Sequence, residues 1–188
     1  MIISRTPIEG VAIIDLELRS DDRGFFARSF DTAEFAAAGL EPTVDQCNIS
    51  GNHKAGTLRG MHFQIAPHPE AKLVRCIRGS LLDVIVDMRP DSPTRLQHVA
   101  VELTAVNRRS IYVPPYFAHA YLTLEDDTEA IYQVSGAYAP AAERGLRFDD
   151  PALAIDWPLP ITTISAKDAA WPLLDADGQL AAREPVNA

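Results

Sequence analysis

Short stretches in which apolar and polar residues alternate fill most of this chain, and a period of two marks a strand with one face buried. Segments 11–18, 24–30, 43–49, 58–64, 72–78, 81–88, 97–103, 110–113, 118–124 and 129–138 all read this way. Turn formers separate them, among them Arg78-Gly79-Ser80 and the acidic run Glu125-Asp126-Asp127-Thr128. Many short strands at such spacing predict an all-β fold: a sandwich, a jelly roll or a barrel. Helical periodicity is scarce. Asp31-Thr32-Ala33-Glu34 has capping-box spacing ahead of an alanine-rich run, and Gly39 suits a C-terminal stop, so one short helix is expected there. Ser165-Ala166-Lys167-Asp168 predicts a second short turn with the same spacing. No repeat, low-complexity tract or linker divides the chain, so residues 1–174 read as one domain and 175–188 as a loosely held tail.

The alternation also sorts chemistry onto faces. In 118–124, His119, Tyr121 and Thr123 share one face, while Ala118, Ala120, Leu122 and Leu124 share the other. In 58–64, His62 and Gln64 lie opposite Met61 and Phe63. Tyr132 falls on a strand expected to pair, through a hairpin, with the one bearing His119. Faces carrying groups that titrate or hydrogen-bond, in place of the Lys, Glu and Ser of a solvated surface, fit a barrel whose interior is a wet ligand cavity.

Composition narrows the partners. Apolar residues make up 47% and charged residues 23% of the 188, the balance of a folded domain of ordinary size. A net charge of −9 repels nucleic acid and anionic membrane, so neither is expected as a partner. An anionic small substrate needs a local basic cluster, and Arg23, Arg28, Arg59, Lys72 and Lys167 are the candidates. Cys47 and Cys76 have no zinc or redox spacing and read as two reduced thiols packed in strands. The N-terminal segment carries acids within its apolar stretch and lacks a signal-peptide layout, and no apolar run approaches membrane-spanning length. A cytoplasmic protein is expected.

Three residue types carry candidate chemistry. His62 in LRGMHFQ titrates near neutral pH and suits a general base, although a hydrogen-bonded structural histidine fits as well. Tyr132 and Tyr138 in YQVSGAY suit a general acid or a core aromatic. Asp168 can orient His62 through its second ring nitrogen, or simply serve the capping box. Metal-binding cupins use His-x-His with a later Glu and His; here Gln64 stands at the second histidine, leaving His62 and His119 as a thin set for zinc or iron. No metal site is expected.

Taken together, DDRGFFARSF, QCNIS, GTLRGMHFQ, EAKLVRCIRGSLLDVIVDMRPDSPT, RSIYVPPYFAHAYLTLEDD, YQVSGAYAPAAERGLRFDDP and IDWPL with ISAKD resemble, in this order, the dTDP-4-dehydrorhamnose 3,5-epimerase family over residues 5–172. The resemblance implies a cupin-like double-sheet jelly-roll barrel with one or two short helices, acting as a homodimer without metal or organic cofactor. It implies His62 as base, Asp168 as its partner, Tyr132 as acid on the opposite sugar face and Lys72 as stabiliser of the enolate. Arg23, Gln46, Asn48, Arg59, His119, Glu143 and Lys167 fall where the family contacts substrate, and Tyr138 where an aromatic stacks on the nucleotide base. The implied substrate is a nucleoside-diphosphate sugar, epimerised at C3, C5 or both as in dTDP-L-rhamnose biosynthesis. The alternatives are a single-position epimerase of another nucleotide sugar and, further off, a metal-dependent cupin enzyme. Three positions depart from the family pattern: Arg28 stands where Glu is common, on a strand expected to border the cavity mouth, Gln133 where a basic residue follows the tyrosine, and SPTRL where SPTFG is usual. The first bears on the nucleotide end and makes Arg28 a candidate contact.

Overall fold

The computed structural model describes residues 1–180 and has the expected all-β character. In chain order its elements are β1 (Ile2–Arg5), β2 (Ala12–Asp15), β3 (Arg19–Asp21), β4 (Gly24–Phe26), α1 (Thr32–Ala37), β5 (Gln46–Asn52), β6 (Thr57–Gln64), β7 (Lys72–Arg78) and β8 (Ser80–Asp87). There follow β9 (His98–Thr104), β10 (Ser110–Val113), β11 (Phe117–Thr123), β12 (Thr128–Val134), β13 (Glu143–Gly145), β14 (Thr163–Ile164) and α2 (Ala166–Ala169). One sheet has the order β1-β2-β10-β7-β12-β5 and the other β13-β6-β11-β8-β9, with β14 running parallel to β6. A separate two-stranded ribbon, β3-β4, stands apart with all its residues exposed.

The main core lies between the two sheets. Val74, Cys76, Ile111 and Ala130 of the first sheet meet Leu81, Ile85, Val101, Leu103 and Phe117 of the second. The second sheet is buried on its other face as well: Met61, Phe63, Val84, Val86, Ala118 and Ala120 pack under Leu146 and Leu153 from the C-terminal segment. That double burial explains why β8 reads as a nearly continuous apolar run. Part of the first sheet's outer face is covered by α1. Its Phe35 is 1% exposed and packs with Ile14, Leu73 and Tyr112, a burial worth roughly 2–3 kcal/mol. Farther along that face Ile49 and Ile77 stand exposed.

Two local expectations are corrected. Asp31 does cap α1, accepting from the Ala33 and Glu34 N–H groups, and Gly39 follows in the left-handed region. Glu34, however, does not return to the cap; its carboxylate accepts from the Met1 amino group at 2.8 Å, so only half of the capping box forms. The strand bearing Tyr132, β12, pairs with β5 and β7, whereas β11 pairs with β6 and β8. The acidic connection after β11 therefore crosses from one sheet to the other instead of closing a hairpin, and Tyr132 faces the second sheet. The cysteines also differ: Cys76 is buried, its thiol pushed up to about 11 by that burial, while Cys47 is exposed on the outer face of edge strand β5. At the C-terminus residues 175–180 turn back so that Leu174 and Leu180 form an isolated bridge; the rest of the expected tail lies outside the described residues.

Candidate functional site

A cavity of about 520 Å³ opens between the sheets, lined from the second by Arg59, His62, His119 and Tyr121 and from the first by Ser50, Lys72 and Tyr132. The segment around α2 closes it with Ser165, Lys167 and Asp168. The site thus gathers groups from both sheets and from a short helix distant in sequence.

His62 sits at the middle of this wall, on β6 directly across from His119 of β11. Its Nε2 lies 2.6 Å from Asp168 Oδ1. Asp168 belongs to α2, whose cap Ser165 accepts the Asp168 N–H at 3.0 Å. Burial raises the Asp168 carboxyl pKa, but the His62 hydrogen bond and charge and the Gly60 N–H outweigh that and leave it below the ordinary carboxylate value. An ionised carboxylate only accepts, so the shared hydrogen sits on Nε2, and in the neutral form of the ring the lone pair is then on Nδ1. Trp171 fixes the ring from another side, edge-on at 6.2 Å. This packing requires Gly145, the register partner of His62: a Cβ there would lie 2.2 Å from the Trp171 ring.

Arg59 shares the cavity although it is three residues from His62, a spacing that in a regular strand sends two side chains to opposite faces. The register explains it. His119 pairs with His62 but Tyr121 pairs with Arg59, so β6 holds an extra residue opposite Ala120. That bulge restores Arg59 to the inner face. Gly60 makes it feasible, because a Cβ at this position would meet the His119 carbonyl oxygen at 2.5 Å and φ is +119°. The Arg59 guanidinium is held by Asn52 Oδ1 at 2.7 Å and the Gly51 carbonyl at 3.2 Å.

His119 has a carboxylate of its own. Asp83 of β8 is fully buried and lies 2.8 Å from His119 Nε2 through Oδ1 and 3.0 Å through Oδ2. On the facing sheet, Lys72 Nζ lies 2.8 Å from Glu70 Oε1, and that carboxylate also accepts from Gln64 Nε2 at 3.1 Å. Tyr132 is raised above the ordinary tyrosine value mainly by burial, and secondarily by the nearby Tyr121. It therefore keeps its proton well above neutral pH.

The remaining candidates separate into three groups. Tyr138, Glu143 and Lys167 form a chain near the cavity: Tyr138 Oη donates to Glu143 Oε2 at 3.1 Å, and Lys167 Nζ lies 2.6 Å from Glu143 Oε1. Tyr138 as a residue is 54% exposed. Gln46 and Asn48 are on β5 with the same parity as Ser50, so they extend the inner face toward the strand's open end. Arg23 and Arg28 do not reach the cavity of their own chain. Arg23 is at the tip of the β3-β4 ribbon, paired with Asp21 at 2.6 Å, and Arg28 lies beyond β4, exposed and bonded to Asp31. The expected placement of Arg28 at the cavity mouth is thus not found within one chain, because β4 ends at Phe26 and the ribbon turns outward. Gln64, although it has the parity of His62, is 2% exposed and spent on Glu70 and on the backbone of His68, Ala137 and Ala139.

Sequence reasoning missed Asp83, Glu70, Ser50, Trp171 and Gly145. Asp83 carried a usable signal: a lone acid inside Leu81-Leu82-Asp83-Val84-Ile85 must be buried, and a buried carboxylate needs a partner. Among the described residues no group of three or more His, Cys, Asp or Glu is arranged to hold a metal ion. No helix there is long and apolar enough to cross a membrane.

Comparison with known proteins gives a consistent result. The family model described as dTDP-4-dehydrorhamnose 3,5-epimerase matches residues 5–176. A dTDP-4-dehydrorhamnose 3,5-epimerase of Salmonella typhimurium is 41% identical over 93% of this chain and 96% of its own length. The crystal structure of dTDP-4-dehydrorhamnose 3,5-epimerase from Elizabethkingia anophelis superposes with a TM-score of 0.91 at 34% identity, covering 95% of this chain and 99% of that one. The dTDP-6-deoxy-D-glucose-3,5-epimerase of Legionella pneumophila, solved in complex with dTDP-4-keto-L-rhamnose, gives 0.86 at 35% identity and covers 97% and 98%. The fold is accordingly the cupin-like double-sheet jelly roll of these epimerases.

Proposed function

This chain belongs to the dTDP-4-dehydrorhamnose 3,5-epimerase family and is an isomerase, and we propose that it inverts C3 and C5 of a dTDP-linked 4-keto-6-deoxyhexose by proton transfer across its cavity. One observation carries the reading: a carboxylate-backed histidine, His62, and a protonated phenol, Tyr132, come from opposite sheets to line one cavity.

A C–H beside a ketone is a weak acid, so its removal needs a positioned base and a stabilised oxyanion. His62 takes the proton on Nδ1, and the Asp168 carboxylate at Nε2 stabilises the imidazolium that forms. Negative charge moves to the C4 oxygen, where Lys72 and His119 supply positive charge or a donor. Tyr132 then delivers a proton to the same carbon from the other face, which inverts it, and solvent returns both groups to their starting states. Because the ketone flanks C3 and C5 alike, one constellation serves both carbons if the sugar shifts between steps. Arg59 and Lys167 give the local positive charge that a diphosphate needs on a chain of net charge −9. The Tyr138 ring is suited to stack on the nucleotide base.

We further propose a homodimer acting in the cytoplasm. Its support is the outer face of the first sheet, where Ile49 and Ile77 are exposed, and the outward ribbon with Phe25 and Phe26 at 50% and 65% exposure. In such a dimer the ribbon carries Arg23 to the partner's cavity.

The deciding experiment is proton–deuterium exchange in D2O with a dTDP-4-keto-6-deoxyhexose, followed by NMR. Exchange at both carbons, lost in a folded His62→Ala variant, is the expected outcome. Exchange at one carbon alone makes the chain a single-position epimerase, and none at either overturns the reading.

A further inference from the structure

The proposed proton transfers leave one polar feature of the cavity without a task. Ser50 of β5 and Tyr121 of β11 reach toward each other from opposite sheets, and their hydroxyl oxygens lie 2.8 Å apart on the cavity wall. The pair has one hydrogen more than its own bond consumes, since each hydroxyl brings a single donor and two lone pairs. Asn52 is the neighbour that could absorb it, but both ends of its amide make shorter hydrogen bonds elsewhere. Asn52 Oδ1 accepts from Arg59 Nε at 2.7 Å and Nδ2 donates to the Thr128 carbonyl at 3.0 Å. Its contacts with the Tyr121 hydroxyl are long, 3.4 and 3.5 Å. A half-buried hydroxyl pair with a spare hydrogen facing an open cavity is suited to a ligand oxygen.

Position indicates which oxygen. The same Asn52 that touches Tyr121 bolts the Arg59 guanidinium in place, so the hydroxyl pair is next to the cation best suited to hold the diphosphate. The diphosphate is borne by C1 of the sugar, and the neighbouring carbon is C2. The C3 hydroxyl is a poor alternative, because it swings to the other side when C3 inverts and no fixed pair can hold it in both states. C4 bears the ketone and C6 a methyl group.

Resting on the epimerase reading for the orientation of the sugar, we propose that the Ser50–Tyr121 hydroxyl pair is a specificity element that binds the C2 hydroxyl of the nucleotide-linked hexose. A neutral hydrogen bond of this kind is worth roughly three- to tenfold in affinity.

The test uses two sugars without a ketone, dTDP-glucose and dTDP-2-deoxyglucose, titrated calorimetrically into wild type, Tyr121→Phe and Ser50→Ala, with dTDP alone as reference. Wild type is expected to bind the hydroxylated sugar about three- to tenfold more tightly, and both substitutions to bring that ratio to within about twofold. A displaced Arg59 weakens both sugars and dTDP alike and leaves the ratio untouched, so a merely structural role is separable. A wild-type ratio near one, or a ratio unchanged in both variants, overturns the proposal. Exchange of the 4-keto sugar in D2O, run in parallel, separates the two readings. Exchange with a ratio near one sinks only this inference, a clear ratio without exchange sinks only the epimerase, and binding of neither sugar sinks both.

Discussion

Replacing Asp168 by Asn keeps the shape of the side chain and removes its charge, which makes it the sharpest probe of the histidine pair. In the structure one carboxylate serves two donors, His62 Nε2 at 2.6 Å and the Gly60 N–H at 3.3 Å. Asparagine has one acceptor oxygen, and its amide nitrogen only donates, so one of the two donors loses its partner. A hydrogen bond to a charged group is worth about 1.5–3 kcal/mol and a neutral one about 0.5–1.5, so His62 loses roughly 1 kcal/mol of orientation. A second loss falls on the imidazolium formed during proton abstraction. A unit charge about 4 Å away contributes about 4 kcal/mol at an effective dielectric near 20, and solvent at the cavity mouth removes part of that. The combined expectation is about 2–4 kcal/mol, or roughly a 30- to 1,000-fold slower exchange. The loss should fall on kcat, because a group acting through His62 matters most once the ring is charged. Helix α2 retains its Ser165 cap, so the fold should survive. The assay is the initial rate of deuterium incorporation at saturating substrate, paired with a thermal melt. A folded Asp168→Asn protein within threefold of wild type, or one whose whole deficit lies in KM, would refute the reasoning.

Three further outcomes follow from other parts of the molecule. If the β3-β4 ribbon reaches a partner's cavity, Arg23→Ala and His62→Ala proteins are each impaired as pure dimers, but mixing them after subunit exchange restores a portion of the activity; no recovery in verified mixed dimers counts against a shared site. Gly145→Ala forces a methyl group into the Trp171 ring, an overpacking worth about 1–3 kcal/mol, and should lower both the denaturant midpoint and the exchange rate; unchanged values in both measurements would contradict the contact. Burial works against the ionised Asp87, yet its bonds from Arg89, Ser92 and Thr94 prevail and hold its pKa at about 2. Because that folded value is depressed, its contribution of about 2 kcal/mol is present above pH 4 and fades as pH falls toward 2; the stability gap between wild type and Asp87→Asn should narrow over that window in urea titrations, and a constant gap would be inconsistent with it.

What the sequence made legible follows a physical divide between local pattern and long-range geometry. Lys72–Arg78 and Ser110–Val113 were delimited to the residue, because a strand interior bounded by turn formers is a local property. Strands β13 and β14 were invisible, since segments of three and two residues exist only by pairing with β6. Tyr132 was assigned to the wrong neighbour for the same reason: nothing in Glu125-Asp126-Asp127-Thr128 distinguishes a hairpin turn from a crossing between sheets. The site divides likewise. Residue chemistry and the family resemblance both single out His62 and Asp168, but their contact joins residues 106 apart and no periodicity encodes it. Strict alternation would have excluded Arg59 from the wall that holds His62, and only the bulge at Gly60 brings it back. The buried carboxylates are the instructive case. Asp83 and Asp168 look like sequence accidents, one inside an apolar strand and one in a capping box, yet each lies against a histidine that lines the same cavity. A polar residue that interrupts a local pattern is costly unless something distant meets it, so such interruptions are where a sequence announces long-range chemistry without revealing the partner.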